Sequence, residues 1–513
     1  MLGLLRRLDR QWVAVLVVTA IAAGIRFGDL SRPDESVFDE FYYRKAACIL
    51  LGEDNRTCEL REENERQFRR TEWDVGSWVH PPLGKWQIAL GIRAFGMDPF
   101  GWRFSSAVAG TLIVTFGSLI VAIVMRRPIW TFVAGLLLAT EHLNVVMSRL
   151  ALLDIHLTFW VTLGFLFLVL ERRWIQLRTP DPRRDPPGVE VFRIEPVDAV
   201  APPVPSPIVR PWRVAAGVAF GAAIAVKWSG VFALAAAVLL AFGWEVGRRM
   251  RAGRTGPRAL GRALLQESFG FVVFLLLVPA VTYGATWLPW LHHFGHDIAA
   301  SPVESSVAWW EHQGRMWEYH AELQEFEVDP ETGERTPTHP SYSEPWRWVV
   351  DMGSVSMFVE DLGPDVRQVL AFGNPVTFWL GLWALPFAAW LWVRRGEWGG
   401  GLVIVAYVGQ LAPWFLVARP QFSFYLLPMT PFLVLADVLL LRALADARIV
   451  VRERDDGRTA DAAVVSRYHP FRPVVWAVVV AGVALFVWAW PVLSASRITD
   501  ERWRQIVWFD AWV

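Results

Sequence analysis

Long, nearly uninterrupted apolar runs constrain this chain more than any other feature. Of its 513 residues, 54% are hydrophobic and 19% are charged, and the apolar residues cluster in runs instead of alternating. Such runs are typical of membrane-spanning helices and are too continuous for the alternating strands of a membrane β-barrel. We therefore predict an all-α polytopic membrane protein with about eleven transmembrane helices. The predicted cores are Trp12–Ile25, Phe104–Val124, Ile129–Leu143, Ile155–Leu170, Val214–Ala225, Val231–Trp244, Phe269–Trp287, Val376–Trp392, Leu402–Val417, Phe424–Leu441 and Val474–Leu493.

The arginine clusters predict how these helices are oriented, because cytoplasmic loops of membrane proteins carry an excess of Arg and Lys. With the N-terminus in the cytoplasm, every Arg cluster at the end of a predicted span falls on the cytoplasmic side. These clusters are Arg126–Arg127, Arg172–Arg173, Arg248–Arg249, Arg394–Arg395 and the stretch from Arg442 to Arg458. Two large loops, 30–102 and 289–374, then lie on the extracytoplasmic side, as does the C-terminus.

The rest of the chain suggests a single transmembrane domain over residues 1–513. We find no internal repeat and no soluble domain with its own core. The segment 181–211 is rich in Pro, Arg and Asp, which predicts a flexible cytoplasmic linker. The segment Leu83–Phe95 is amphipathic but too short to span, so we predict a helix along the membrane surface.

Asp39 and Glu40 are two adjacent carboxylates that follow the first span, flanked by aromatic residues. Adjacent side chains on a helix point about 100° apart, so the two would take different roles. One can act as a general base while the other orients a substrate or a basic neighbour. A solvated acidic turn is the plainer interpretation of an arbitrary Asp-Glu pair.

Several basic residues of the predicted outer side suit an anion. His80 and Lys85 flank Pro-Pro-Leu-Gly, whose prolines stiffen the chain and fix both side chains relative to each other. Arginines at the outer ends of spans run against the positive-inside trend, and their planar guanidinium suits phosphate. Snorkelling to lipid headgroups is the alternative for each of them. These arginines are Arg26, Arg103, Arg149 and Arg419.

Two further ionisable residues lie at the edges of predicted spans. Asp154 opens the fourth span, where the helix dipole alone favours an acidic residue. Lys227 lies between two apolar cores, and an ionisable group in such a place is a functional candidate by default.

Cysteine and histidine usage bears on disulfides and metals. Cys48 and Cys58, the two cysteines, both fall in the first outer loop, where an oxidising compartment would allow a disulfide. His292, His293 and His296 resemble metal ligands in spacing, but no matching carboxylate or cysteine pattern follows. We therefore predict no metal ion and no other cofactor.

Taken in order along the chain, these motifs resemble the protein O-mannosyltransferases, the dolichyl-phosphate-mannose–protein mannosyltransferase family. That family has a GT-C membrane fold, and its members move mannose from a polyprenyl phosphate to Ser or Thr hydroxyls of secreted proteins. The resemblance is carried by Arg26, Phe38-Asp39-Glu40, His80-Pro81-Pro82-Leu83-Gly84-Lys85, Gly101-Trp102-Arg103, Ser148-Arg149, Leu153-Asp154, Val226-Lys227-Trp228-Ser229-Gly230, His339-Pro340, Trp346, Pro413-Trp414, Tyr425 and Pro428.

The resemblance implies specific roles. Asp39 would be the catalytic base, Glu40 would help to bind acceptor or donor, Arg103 would hold the lipid phosphate and Arg26 would support the acidic site. We add His80 and Lys85 to the donor site from their spacing, with Arg149, Asp154, Lys227 and Arg419 in support. The eukaryotic members carry a MIR domain in the second outer loop, and this chain has none there, which fits a bacterial member.

The predicted function is therefore an inverting transfer of mannose from polyprenyl phosphate mannose to secreted Ser/Thr-rich proteins during Sec translocation, at a bacterial cell membrane. A related GT-C transferase acting on a lipid or glycan acceptor is one alternative. A lipid or sugar-phosphate transporter is the other, although such proteins usually contain internal repeats. Nothing in the sequence suggests nucleic-acid binding.

Overall fold

The computed structural model describes residues 2–54, 56–59, 79–178, 209–251, 256–296, 298–329, 331–332, 334–452, 465–509 and 512. The predicted linker 181–211 falls almost entirely outside these residues. The described chain is mainly helical, which confirms the predicted fold class. The first eight helices are α1 Leu2–Phe27, α2 Glu40–Leu50, α3 Leu83–Phe95, α4 Pro99–Met125, α5 Pro128–Ala139, α6 His142–Ser148, α7 Leu153–Arg178 and α8 Pro211–Val226.

The second half of the chain continues in the same way. The helix Gly256–Val272 passes through a π-helical turn at Val273–Leu277 into the helix Val278–Thr286. Two 3₁₀ segments, Ala412–Leu416 and Ser423–Met429, precede the helix Thr430–Asp446. The helices are α9 Gly230–Arg251, α10 Gly256–Val272, α11 Val278–Thr286, α12 Leu288–His293, α13 Pro302–Glu322, α14 Pro345–Val349, α15 Pro375–Arg395, α16 Trp398–Leu411, α17 Thr430–Asp446, α18 Arg472–Leu493 and α19 Asp500–Ile506.

Within the described residues, nine helices are long and apolar enough to cross a membrane. All eleven predicted apolar cores coincide with helical segments. The third core is the pair α5 and α6, bent by 61° at a short break, and the fifth is the 16-residue helix α8. A multi-pass membrane protein is therefore confirmed, and the number eleven stays a prediction.

The break between α8 and α9 bears directly on the site. Helix α8 ends at Val226 and α9 begins at Gly230, so the chain turns at Lys227–Ser229. Lys227 is extended, with φ −154° and ψ 133°, and it follows the last turn of α8, where the helix dipole favours a cation. The expectation of two helices here, and not one bent helix, is confirmed.

Three small sheets, which the sequence did not indicate, supplement the helices. They are β1 Phe326–Val328 with β2 Arg335–Pro337, β3 Val355–Asp361 with β4 Asp365–Ala371 and β7 Ile498–Thr499, and β5 Ile449–Arg452 with β6 Val465–Tyr468. Strand β7 follows the last long helix and pairs antiparallel with β4, Val366 opposite Ile498. The second predicted outer loop and the C-terminal segment therefore lie on the same face of the protein.

Close helix contact generates a stability prediction. A Cβ atom on Gly217 of α8 would lie 2.0 Å from the carbonyl oxygen of Phe274, whereas one on Gly243 of α9 meets nothing within 4 Å. We expect Gly217→Ala to lower the thermal unfolding midpoint in detergent, because overpacking typically costs about 1–3 kcal/mol. Gly243→Ala should leave the midpoint unchanged or raise it, since Ala favours helix. Equal midpoints for the two variants would contradict the close approach.

Candidate functional site

A fully buried ion pair lies beneath the candidate site. The Arg103 guanidinium in α4 contacts both carboxylate oxygens of Glu40, from Nε to Oε1 at 2.9 Å and from Nη2 to Oε2 at 2.8 Å. Both side chains have no solvent exposure. Glu40 also accepts hydrogen bonds from the backbone N–H groups of Val37 and Ala151, at 3.0 and 2.6 Å.

The remaining donors of Arg103 hold the loop that leads to α2. Its Nη1 and Nη2 groups donate to the carbonyl oxygens of Leu30, Pro33 and Glu35, at 3.3, 2.6 and 2.8 Å. Together with the two bonds to Glu40, these use all five N–H groups that a guanidinium has. A phosphate would have to displace a partner that is already in place.

Arg149 and Arg26 also donate hydrogen bonds that hold neighbouring segments together. Arg149 donates to the carbonyl oxygens of residues 25, 26, 28 and 29 at the end of α1. Arg26 is fully buried and bonds Ser148 at 3.2 Å and Asn144 at 2.6 Å. Both arginines thus tie the end of α1 to α6 and the turn after it.

Asp39 lies at the end of this held loop, as the N-cap residue of α2. The preceding residue, Phe38, has a φ of 51°, a left-handed conformation that is costly for a bulky side chain. The Phe38 ring contacts Phe424 and His339, with centroids 6.0 and 6.4 Å apart. The packing of the Phe38 ring holds this conformation in place directly before Asp39.

The surroundings of Asp39 change its acidity. The Tyr43 hydroxyl donates to its Oδ2 at 3.5 Å. Burial raises the pKa of Asp39 to about 6, Lys227 acts in the opposite direction, and Asp154 adds to the rise. A carboxylate with a pKa near 6 is suited to accept a proton near neutral pH.

Asp154 and Lys227 form a second buried ion pair beside Asp39. The Lys227 Nζ atom lies 2.9 and 3.0 Å from the two carboxylate oxygens. Asp154 lies in the first turn of α7 and Lys227 follows the last turn of α8, so each charge is at the helix end that favours it. The Lys227 ammonium also lies 4.3 Å from the ring centre of Tyr425.

A group of basic side chains also lies near Lys227. Lys85 donates to the His80 carbonyl oxygen at 2.7 Å, and the His80 and His320 rings are 5.3 Å apart. Burial holds the pKa of His80 well below its usual range, and the nearby Lys227, His320, Arg419 and Lys85 act in the same direction. Burial also lowers the pKa of Lys85 to about 7.

Arg419 differs from the other predicted arginines. Its Nη1 group donates to His320 Nδ1 at 2.7 Å, and its Nε group is buried with no hydrogen-bond partner among the described residues. The His320 Nε2–H group donates to the Val79 carbonyl oxygen at 2.8 Å, so the ring is neutral. Burial and the nearby Arg419 lower the pKa of His320 to about 4, in agreement with that protonation state.

A small cavity, with room for about one water molecule, borders the Asp154 end of the site. Its walls come from α7, α9, α16 and the two 3₁₀ segments before α17. The lining side chains are Asp154, Leu157, Val161, Ser229, Phe232, Gln410, Trp414, Tyr425, Pro428 and Met429.

Comparison with known proteins places this arrangement in a family. The family model for dolichyl-phosphate-mannose-protein mannosyltransferase matches residues 76–179, and the model for the C-terminal four-transmembrane region of protein O-mannosyltransferase matches residues 306–512. The chain belongs to the protein O-mannosyltransferase family. The two matched regions contain most of the site, from His80 and Arg103 to His320 and Tyr425.

Individual relatives agree with this assignment. The chain is 29% identical to the polyprenol-phosphate-mannose–protein mannosyltransferase of Mycobacterium tuberculosis, over 98% of this chain and 92% of the relative. It is 28% identical to that of Mycolicibacterium smegmatis, over 98% and 94%. The structure of the S. cerevisiae protein O-mannosyltransferase Pmt1–Pmt2 complex bound to the sugar donor has a TM-score of 0.67 at 15% identity, covering 98% of this chain and 92% of that one. This likeness confirms the predicted GT-C fold.

The geometry changes some roles that the sequence suggested. Asp39, His80, Lys85, Asp154, Lys227 and Arg419 meet in one place, as a site would require. Glu40 and Arg103 were expected to contact substrate. Instead, they form hydrogen bonds with each other and with the loop before Asp39. Arg26 and Arg149 likewise bond inside the helix bundle. These contacts support a positioning role for Glu40 and Arg103, and their expected contacts with substrate stay predictions.

Sequence reasoning missed His320. It considered His292, His293 and His296 instead, because only these form a cluster. His320 lies in the long helix α13 far along the chain, and no local pattern marks it. Among the described residues, no group of three or more His, Cys, Asp or Glu side chains is arranged to hold a metal ion.

The two cysteines are joined in the structure. Cys48 at the end of α2 and Cys58 form a disulfide, with Cα atoms 5.6 Å apart. Both are fully buried, and they pack with Phe41, Ile49 and Met97. The bond ties the first outer loop to the helix that Asp39 begins.

The buried pair generates a prediction. Arg103→Ala leaves Glu40 buried without its cation, and breaking such a pair typically costs about 3–5 kcal/mol. Arg504→Ala is the control, because its pair with Asp500 (2.7 Å) is exposed, and exposed pairs contribute at most about 1 kcal/mol. We expect a clearly lower thermal unfolding midpoint for Arg103→Ala only. Similar small shifts in both variants would mean that Arg103 does not support the loop.

Proposed function

We propose that this protein transfers mannose from polyprenyl phosphate mannose to Ser or Thr hydroxyls of secreted proteins. The observation that carries the proposal is one base-like carboxylate, Asp39, beside the Asp154–Lys227 ion pair, which also lies near a basic group that suits a phosphate. The names of the mycobacterial relatives support the donor and the protein acceptor. The yeast relative of the same fold was solved with its sugar donor.

The proposed reaction is one inverting displacement. The acceptor hydroxyl oxygen attacks the anomeric carbon of mannose from the face opposite the phosphate. As that bond forms, the bond between the anomeric carbon and the phosphate oxygen breaks, and the polyprenyl phosphate leaves with the electron pair. Asp39 takes the hydroxyl proton, which the raised pKa near 6 favours. The configuration at the anomeric carbon is inverted.

Arg419 is the proposed main contact of the donor phosphate. Its unpartnered Nε group and its neutral neighbour His320 leave its charge available to an anion. Lys85 and His80 lie close by and add positive charge and a polar ring. Cationic groups fixed around a leaving phosphate stabilise the charge that develops on it. Because they supply this stabilisation, we propose that the reaction needs no metal ion.

The proposed orientation places the site on the extracytoplasmic side of a bacterial cell membrane. The Arg clusters at the span ends support a cytoplasmic N-terminus. The segments around Asp39, the second large loop and the C-terminal strand β7 share one face, which agrees with a common outer side. Secreted proteins with Ser/Thr-rich segments would reach this face during Sec translocation.

The central experiment uses purified protein, polyprenyl-phosphate-[¹⁴C]mannose and a Ser/Thr-rich peptide. We expect wild type to label the peptide with inverted configuration. Asp39→Asn should lose about 10²–10⁴-fold in rate, the range that general base catalysis contributes. Asp34→Asn is the matched control, since the Asp34 side chain is 89% exposed in the same loop.

The outcomes separate the parts of the proposal. Label in wild type that survives Asp39→Asn would keep the mannosyltransferase and reject the base. Arg419→Ala should raise the KM for the donor more than it lowers kcat. Unchanged activity after EDTA treatment is expected, and EDTA inhibition that a metal ion reverses would contradict the metal-free mechanism.

The pH dependence tests the environment of Asp39. Only the ionised carboxylate accepts a proton, so the acid limb of kcat/KM should rise with pH up to about 6. Lys227 lowers the pKa of Asp39 and Asp154 raises it. Lys227→Met should therefore move the rising limb to higher pH, and Asp154→Asn should move it to lower pH. A limb that stays in place in both variants would mean that another group titrates.

A further inference from the structure

Helix α13, in the second predicted outer loop, carries an exposed apolar stripe along its length. Its large side chains follow one another at intervals of four, three and seven residues. At about 3.6 residues per turn, these intervals keep them on one face of the helix. The stripe consists of Val303, Val307, Trp310 and Trp317, which are 76%, 51%, 66% and 67% exposed.

A second exposed face of the same helix is acidic. A glutamate directly follows three of the four stripe residues, and all three glutamates are exposed. Adjacent side chains on a helix point about 100° apart, so the glutamates form a separate row beside the stripe. This acidic row consists of Glu304, Glu311 and Glu318.

The third face of α13 packs against the rest of the protein. The ring of the buried residue His312 lies 5.2 Å from the ring of Trp287 and 4.7 Å from that of Trp290. Near the end of the helix, His320 accepts a hydrogen bond from Arg419. The helix therefore has three faces of different character: one packed on protein, one apolar and one acidic.

The contacts of the packed face place α13 beside a membrane span. The Tyr283 hydroxyl donates to the side-chain oxygen of Gln313 at 2.5 Å. Tyr283 belongs to the apolar segment Gly256–His293 and lies inside its predicted apolar core. On the same segment, Val281 and Leu288 are 70% and 50% exposed, as expected of a surface that contacts lipid. Helix α13 thus lies along the flank of this span, next to its lipid-facing surface.

Three environments meet at such a place: protein, water and lipid. The acidic row suits water, and the stripe suits lipid, because tryptophan rings favour the headgroup layer of a membrane. A helix from a second copy of the chain matches the stripe less well, since coiled-coil seams take Val, Ile or Leu, and Gly314 and two tryptophans stand here. A Ser/Thr-rich acceptor segment offers mainly polar groups, which an apolar stripe leaves without hydrogen bonds.

We infer that α13 is a membrane-surface helix that seats its apolar stripe in the lipid of the outer leaflet and turns its acidic row to the water. The inference goes beyond the proposed function, because it identifies a lipid-contacting surface in a loop and not a step of the reaction. The same helix carries His320, so the lipid contact and the contact with Arg419 lie on one element.

The test places a nitroxide spin label at single positions of α13 in the full-length protein, reconstituted into phosphatidylcholine vesicles. Cys48 and Cys58 are joined in a buried disulfide, so a thiol reagent labels the introduced cysteine alone. Electron paramagnetic resonance then compares two collision rates of the label. Oxygen concentrates in lipid, whereas a nickel chelate stays in water.

Each label on the stripe has a matched control one residue further along the helix. We expect stripe labels to collide more often with oxygen than with the nickel chelate, and control labels to show the reverse. Thermal unfolding should be like that of wild type, because all these positions are exposed. The stripe variants are Val303→Cys, Trp310→Cys and Trp317→Cys, and the controls are Glu304→Cys, Glu311→Cys and Glu318→Cys.

Three results would overturn the inference. If the ratio of oxygen to nickel collisions is the same within each pair, the stripe does not face lipid separately from the acidic row. If stripe labels rarely collide with either reagent, protein covers the stripe. If spin–spin broadening between labels disappears on dilution with unlabelled protein, a second copy of the chain covers it. None of these measurements uses mannose transfer, so loss of the proposed function would leave the lipid contact in place.

Discussion

The fully buried pair of Arg103 and Glu40 is the interaction on which the site depends. Removing two charges from water is costly, and the cost is offset only where all their hydrogen-bonding groups are satisfied. Here Arg103 uses five N–H groups, three of them donated to carbonyl oxygens of the loop before α2. Glu40 accepts four bonds, one of them from the Val37 N–H of that loop. The pair therefore holds the loop that carries Asp39, and this loop sets the position of Asp39.

The site above this pair is organised by an uneven distribution of charge. Asp154 and Lys227 neutralise each other at helix ends that favour them. Asp39 then remains as a carboxylate outside that pair, while Lys85 and Arg419 lie near His80. This balance suits a phosphate ester on one side and leaves a single carboxylate to accept a proton on the other.

The sequence predicted the helical architecture better than it predicted the contacts of individual residues. The apolar runs predicted every described helix that is long and apolar enough to cross a membrane, and they separated α8 from α9, since length and hydrophobicity alone decide whether a segment can span lipid. They did not predict the small sheet that joins β4 to β7, because these strands are 132 residues apart. The residue types suited to a phosphate were recognised, but Arg103 and Arg419 looked alike in sequence although only Arg103 has all its donors engaged.

The sequence by itself determined that the chain is a polytopic membrane protein, which ionisable residues lie at the span ends and which family it resembles, because these depend on local hydrophobicity and on ordered motifs. Tertiary structure alone decided which arginine is committed to a buried carboxylate and how His320 reaches the site. Those outcomes depend on hydrogen-bond saturation and packing between distant segments, and a linear order of residues does not specify either quantity.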